Sequence, residues 1–171
     1  MPFQDSKIGN PSPAMKPTAF SIIVPVLHEP AGINNLLDHL STLVYIQRAE
    51  IIVVDGSPER DTIKAIGDQG VTAISSLRGR AKQMNAGASA AKGEILIFLH
   101  ADTKLPRDGL LKISSIMDQT RHVAGAFELD IASDRLMLKV MARCASLRCR
   151  LTKIPYGDQA IFMRRRYFET M

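Results

Sequence analysis

Tryptophan is absent from the 171 residues, aromatic side chains make up only 5% of them, and there are just two cysteines. The shortage of aromatic rings weighs against nucleic acid as a partner, because single strands are commonly held by stacking bases on such rings. Recognition-helix, zinc-finger and RNP signatures are missing as well. Cys144 and Cys149 stand five apart in a basic stretch, a spacing that makes neither a zinc site nor a disulfide framework and that fits a reducing cytosol. No apolar run approaches the roughly 20 residues that a membrane-spanning helix needs. Residues 1–18 are polar and proline-bearing with no hydrophobic core segment, so they are expected to form a flexible leader rather than a signal peptide. Acidic residues are also sparse in the last third, where Lys139, Arg143, Arg148, Arg150, Lys153, Arg164, Arg165 and Arg166 accumulate and contribute to a net charge of +5. Residues 135–154 carry Leu136, Val140, Leu147 and Leu151 among these cations. That pattern fits either a helix lying on an anionic membrane surface or a packed helix with a solvated basic face.

What is present is globular. Hydrophobic residues reach 46% and charged residues 23%, and a chain of this length makes one domain burying about 70% of its unfolded surface. Residues 19–171 are therefore expected to form a single folded unit. Strand-like runs alternate with helical ones: strands at 20–27 (FSIIVPVL), 50–55 (EIIVVD), a weaker 71–75, and 94–99 (EILIFL), with helices at 30–43, 59–68, 81–92 and 106–119. Gly93 is placed to stop the third helix and Pro106 to start the fourth. Later strands are expected at 123–131, antiparallel, and at 160–163. The runs at 50–55 and 94–99 are apolar throughout, as strands covered on both faces are. The prediction is a doubly wound α/β fold, a mostly parallel sheet with helices on both faces.

Ligands of such sheets gather outside the carboxyl ends of the strands. Three strand ends carry acids here: Glu29 after the first, Asp55 after the second, with Gly56 allowing a sharp exit, and Asp102 after the fourth, preceded by His100. A carboxylate in that position can accept hydrogen bonds from ribose or a base edge. Asp102 also suits Mg²⁺ or Mn²⁺, hard cations that combine one or two carboxylates with substrate phosphates. Asp102-Thr103 ahead of Leu105-Pro106 equally suits a turn or a helix cap, and Glu29 and Asp55 suit helix caps. The basic turn Arg78-Gly79-Arg80 brings cations to the same edge.

The stretches SIIVPVLHE, IIVVDGS, RGRAKQMNAGASAAKGEILIFLHADT and IPYGDQAIFMRR, taken in this order, resemble the successive motifs of the family 2 glycosyltransferases with the GT-A fold, and the third block resembles a bacterial subgroup. The resemblance runs from about Phe20 to the C-terminus. It implies a GT-A nucleotide-sugar-binding domain that transfers a sugar from a nucleotide-diphosphate donor, with uridine the usual base, inversion at the anomeric carbon, and Mn²⁺ or Mg²⁺ present. Pro25 and Glu29 would line the nucleotide pocket, Asp55 would contact base or ribose, Arg80 would lie near base or diphosphate, and Asp102 would ligate the metal. His100 replaces the first Asp of the family's Asp-X-Asp motif, and neutral imidazole can ligate Mn²⁺ or bond a phosphate. The family's catalytic base is expected beyond Met171, so the chain is expected to be C-terminally incomplete. Asp158 and Gln159 stand as acceptor-site candidates, or as parts of a glycine turn. The implied acceptor is left open, a lipid-linked one included, and the expected location is cytoplasmic, at most peripheral on the inner face of the membrane. A degenerate nucleotide-sugar-binding module without activity is the alternative. A nucleotidyltransferase ranks lower, because the turn after the first strand, VLHEPAG, is acidic and lacks the glycine-rich basic pattern such enzymes place there.

Overall fold

The structure, a computed structural model, describes residues 20–67, 70–119, 122–127 and 160–170. Among these, the chain runs β1 (Phe20–Val26), α1 (Ile33–Ser41), a 3-10 turn (Ile46–Arg48), β2 (Ala49–Asp55), α2 (Asp61–Ala65), β3 (Thr72–Ser75), α3 (Arg80–Ala90), β4 (Ile95–Phe98), α4 (Gly109–Met117), β5 (Ala124–Ala126), β6 (Ile161–Arg164) and a short helix α5 (Arg165–Phe168). The strands form one sheet in the order β3-β2-β1-β4-β6-β5. The first four strands are mutually parallel, while β6 runs antiparallel to both β4 and β5.

The continuous apolar character of β1 follows from cover on both faces. Ile22, Val24 and Val26 point toward α1 and α4, meeting Ile33, Leu36, Leu37 and Leu40 of α1 and Leu110 and Ile113 of α4. Ile23 points the other way, into a cluster with Ile52, Val54, Leu96, Phe98 and Ala88 of α3, joined by Phe168 of α5. Each fully buried aliphatic side chain of this kind contributes about 1.5–3 kcal/mol. Small residues let α3 lie close on the sheet. A Cβ added at Gly87 would come within 2.4 Å of Ile23 Cγ2.

At the opposite end of the sheet from the strands' carboxyl ends, Glu50 fastens three segments. Its Oε1 accepts from Ser21 Oγ (2.6 Å), Lys92 N (2.5 Å) and Gly93 N (3.2 Å). Gly93 N also reaches Ser21 Oγ at 2.9 Å.

The expected α/β architecture is present, with differences at several boundaries. Helix α2 is five residues long rather than ten. Helix α3 ends at Ala90, with Ala91 already extended, so Gly93 does not cap it. The need for glycine at 93 is one of space, because a Cβ there would sit 2.6 Å from the carbonyl carbon of Phe20. Pro106 belongs to a turn closed by Gly109 N onto its carbonyl at 2.7 Å, and α4 begins only after Asp108. The antiparallel strand expected at 123–131 is seen as β5, and its later part lies outside the described residues. So do the leader 1–18, the basic stretch 135–154 with Cys144 and Cys149, and Asp158 and Gln159. Among the described residues no helix is long and apolar enough to cross a membrane.

Candidate functional site

Because α1 leads from β1 outward to β2, while α3 leads from β3 back across to β4, the connections diverge between β1 and β4. A crevice opens at such a switch point. Here it is a cleft of about 470 Å³ walled by the end of β1, the start of α3 and the turn after β4.

Of the residues singled out from the sequence, Pro25, Glu29, Arg80, His100 and Asp102 line this cleft together. Asp55 does not. It is fully buried, and its carboxylate accepts from Ser57 N at 2.8 Å and Ile63 N at 3.3 Å. It thus closes the β2–α2 connection from within, and Gly56 does not expose it.

Glu29 opens the segment leading to α1: its carbonyl accepts from Ile33 N at 3.2 Å, and its own N–H donates to Thr62 Oγ1 at 3.0 Å. Beside it, His28 holds a left-handed backbone (φ 57°), and its Nδ1 meets Asp61 Oδ2 at 2.9 Å. The hydrogen bond and charge of Asp61, helped by Glu59 and Asp55, raise the imidazole pKa above its ordinary 6.5. The same bond holds Asp61 below the usual carboxylate range. Two contacts therefore tie the β1–α1 wall of the cleft to α2.

Across the cleft, Arg80 Nη2 lies 3.1 Å from His100 Nδ1. A guanidinium has no lone pair to offer, so Nδ1 must be the acceptor. The imidazole is then neutral, with its proton on Nε2. Asp102 falls in the turn closed by Thr103 N onto the His100 carbonyl at 3.1 Å. Its carboxylate is exposed at the rim, accepting from Thr103 Oγ1 at 3.3 Å, and it lies well before the start of α4, which it does not cap.

Compared with known families, residues 21–169 match the model for Glycosyl transferase family 2. The chain belongs to glycosyl transferase family 2. Curated protein sequences gave no match. Among solved structures, the family 2 chain is similar to the mannosyltransferase PcManGT from Pyrobaculum calidifontis, determined with GDP-Man and Mn²⁺, with a TM-score of 0.70 and 24% identity over 90% of this chain and 47% of that one. It is also similar to glucosyl-3-phosphoglycerate synthase from Mycobacterium tuberculosis, determined with Mn²⁺ and UDP-glucose (TM-score 0.65, 18% identity, 90% of this chain and 58% of that one). A third likeness is to S. aureus TarS 1-349 (TM-score 0.62, 16% identity, 89% and 48%). These likenesses show the shared GT-A fold, and the chain spans about half the length of the proteins it matches.

In this family 2 cleft the described residues contain no group of three or more His, Cys, Asp or Glu side chains able to hold a metal by themselves. The donor set instead fits a hard cation held by one carboxylate, Asp102, with the remaining oxygens supplied by a diphosphate. His100 fits that role less well, since Arg80 occupies Nδ1 and the tautomer puts a proton on Nε2.

Gln83, one turn into α3, escaped the sequence reading although it forms the cleft floor. It is 4% exposed, and its Nε2 donates to Val26 O at 2.6 Å and Val54 O at 2.9 Å, clamping the ends of β1 and β2. A signal existed: Gln83 precedes Gly87 by one helical turn, which puts it on the buried stripe of α3.

Proposed function

We propose that this chain is the donor-binding portion of a glycosyltransferase that moves a sugar from a nucleoside-diphosphate donor to an acceptor. The observation that carries the reading is the convergence of Arg80, His100 and Asp102 with Pro25 and Glu29 in one cleft at the switch point of the sheet. Arg80 offers fixed N–H donors to phosphate oxygens, and His100 stands beside it at 3.1 Å. Glu29, at the β1 side, is placed to accept from nucleoside hydroxyls. Asp102 would hold a divalent cation, Mn²⁺ or Mg²⁺, whose contribution when bound is to neutralise charge on the departing diphosphate. Support for Mn²⁺ comes from two of the structural neighbours, PcManGT and glucosyl-3-phosphoglycerate synthase, which were determined with that ion and with GDP-Man or UDP-glucose. Inversion at the anomeric carbon is part of the proposal. So is a role for Asp158 and Gln159 on the acceptor side.

Calorimetric titration with UDP, GDP and dTDP, each with and without Mn²⁺, tests the reading. One nucleotide is expected to bind in a metal-dependent way, and Asp102→Ala is expected to weaken that binding at least tenfold, on the scale of a lost charged contact of about 1.5–3 kcal/mol. A variant that binds nucleotide and Mn²⁺ as tightly as the parent would remove Asp102 from the site.

A further inference from the structure

Gln83 carries more information than its clamp. Both Nε2 hydrogens are used, one on Val26 O at 2.6 Å and one on Val54 O at 2.9 Å. Turning the amide over would press Oε1 against two carbonyl oxygens, so the orientation is settled by its partners. Oε1 must then face away from both carbonyls, and no described residue donates a hydrogen bond to it. The residue as a whole is nevertheless only 4% exposed, and it lines the cleft. Gly56 lies flat against the amide: a Cβ there would be 2.9 Å from Gln83 Cδ and 3.0 Å from Oε1. Among the described residues Oε1 is not one of the fully buried side-chain atoms left without a partner. Receiving no protein donor, it therefore opens on the cleft, where its hydrogen-bonding capacity is available to something that enters.

We propose that Gln83 Oε1 is the specificity-determining acceptor for the nucleobase, taking the ring N–H of an imide or lactam base, such as N3–H of uracil or N1–H of guanine. This rests on reading the cleft as a nucleoside-diphosphate site. Phosphate is not the partner, because at neutral pH its oxygens are chiefly acceptors. Position supports the base. The cationic and carboxylate groups Arg80, His100 and Asp102 gather on the β4 side, whereas the Gln83 amide bridges the ends of β1 and β2. A diphosphate bound at the first place directs its nucleoside toward the second. A ribose hydroxyl rotates and serves donor or acceptor alike, so a fixed acceptor gains no selectivity from it. A ring N–H is a fixed donor, and cytosine, with a lone pair at N3, would meet Oε1 with repulsion.

The test uses the unaltered protein titrated, with Mn²⁺, against UDP, GDP, N3-methyl-UDP, N1-methyl-GDP, CDP and 2′-deoxy-UDP. The expected result is that UDP or GDP binds, that its methylated form binds at least tenfold more weakly, and that CDP, which adds no bulk, is weak as well. Equal affinity for a base and its methylated form would overturn the proposal, as would a loss confined to the 2′-deoxy compound. Failure of every nucleotide would instead remove the donor-site reading on which the proposal stands. In a second arm, Gln83→Met keeps the length of the side chain without the acceptor, and the ratio of UDP or GDP affinity to CDP affinity is expected to fall toward one. Thermal unfolding of that variant reports the lost clamp separately. A folded variant that keeps the parent's discrimination would also overturn the assignment.

Discussion

Removing the Glu50 carboxylate should unfasten the sheet at the end remote from the cleft. Oε1 accepts from Ser21 Oγ, Lys92 N and Gly93 N. Ser21 is fully buried and Gly93 is buried, whereas Lys92 is exposed. In Glu50→Ala, water replaces the acceptor at Lys92, and Gly93 N keeps Ser21 Oγ at 2.9 Å. The Ser21 hydroxyl proton has no such substitute. One stranded buried donor costs about 1–3 kcal/mol, and a charge-assisted bond of this kind contributes about 1.5–3 kcal/mol. Since these overlap, the expected loss is about 2–4 kcal/mol, a large part of the roughly 5–15 kcal/mol that holds a domain folded. Glu50→Gln keeps a neutral acceptor in place and should lose only about 1 kcal/mol. Urea unfolding at pH 7 measures both. The pH dependence gives a second check. Partial burial opposes ionisation of Glu50, but the bonds from Ser21, Lys92 N and Gly93 N outweigh it and hold its pKa below the ordinary 4.5. A carboxylate with a depressed folded pKa stabilises fully above its unfolded value and loses that contribution as pH falls through the folded one. The gap between parent and Glu50→Gln should therefore be constant above pH 4.5 and shrink below it. An alanine variant within 0.5 kcal/mol of the parent at pH 7 would refute the reasoning.

Gly87→Ala would ordinarily favour a helix by about 1 kcal/mol, but its Cβ meets Ile23 Cγ2 at 2.4 Å and Val54 Cγ2 at 3.1 Å. Overpacking of about 1–3 kcal/mol should win, giving a net loss of up to ~2 kcal/mol in urea unfolding and weaker nucleotide binding, because α3 carries Arg80 and Gln83. An unfolding midpoint at or above the parent's would show that the packing is looser than described. For the His28–Asp61 pair, a raised His28 pKa stabilises below pH 6.5, and the contribution disappears as pH climbs through the folded value. Asp61, depressed below 3.8, contributes above that pH and loses its effect as pH drops through its folded value. The stability difference between parent and Asp61→Asn should thus be largest between about pH 4 and 6.5 and decline on either side; a difference flat from pH 4 to 9 would exclude the pair as a stabilising contact.

Much of this could be read from the chain. Burial on both faces makes a strand apolar throughout, so β1, β2 and β4 announced themselves, and the spacing of Ile33, Leu36, Leu37 and Leu40 announced α1. Residues at strand ends were found as far as sequence can find them, since Pro25, Glu29, His100 and Asp102 do meet in one cleft. What stayed hidden depends on directions that sequence does not encode. An acid after a strand can turn toward ligand or toward its own backbone, and Asp55 took the second course because Ser57 N and Ile63 N lay within reach. The pairing of Arg80 with His100 joins residues on different elements, so it has no spacing to betray it. Gln83 resembles an ordinary helical surface residue until β1 and β2 supply carbonyls above it. Gly56 and Gly93 read as a sharp exit and a helix stop, and Gly87 as one more residue of a helix, whereas each marks a point where two parts of the chain touch.

The antiparallel strand β6 bears on the order in which the molecule is made. Strands β1 to β4 pair only among themselves on their parallel edges, and all four could assemble while synthesis continues. The far edge of β4, however, is matched by Ile161–Arg164 alone among the described strands. A long stretch of chain must leave the ribosome before that partner exists, and at about 5–20 residues per second this means several seconds. During that interval the apolar Ile95–Phe98 edge stands open to any other extended chain, the circumstance in which sheets recruit wrong partners. Closure by β6 also delivers Arg164 onto the carbonyls of Met117 and His122 and Arg165 onto Ala91 O. The last of the described strands thus ties the ends of α4 and α3 to the sheet at once, so the walls that carry the cleft gain this support only after β6 has paired.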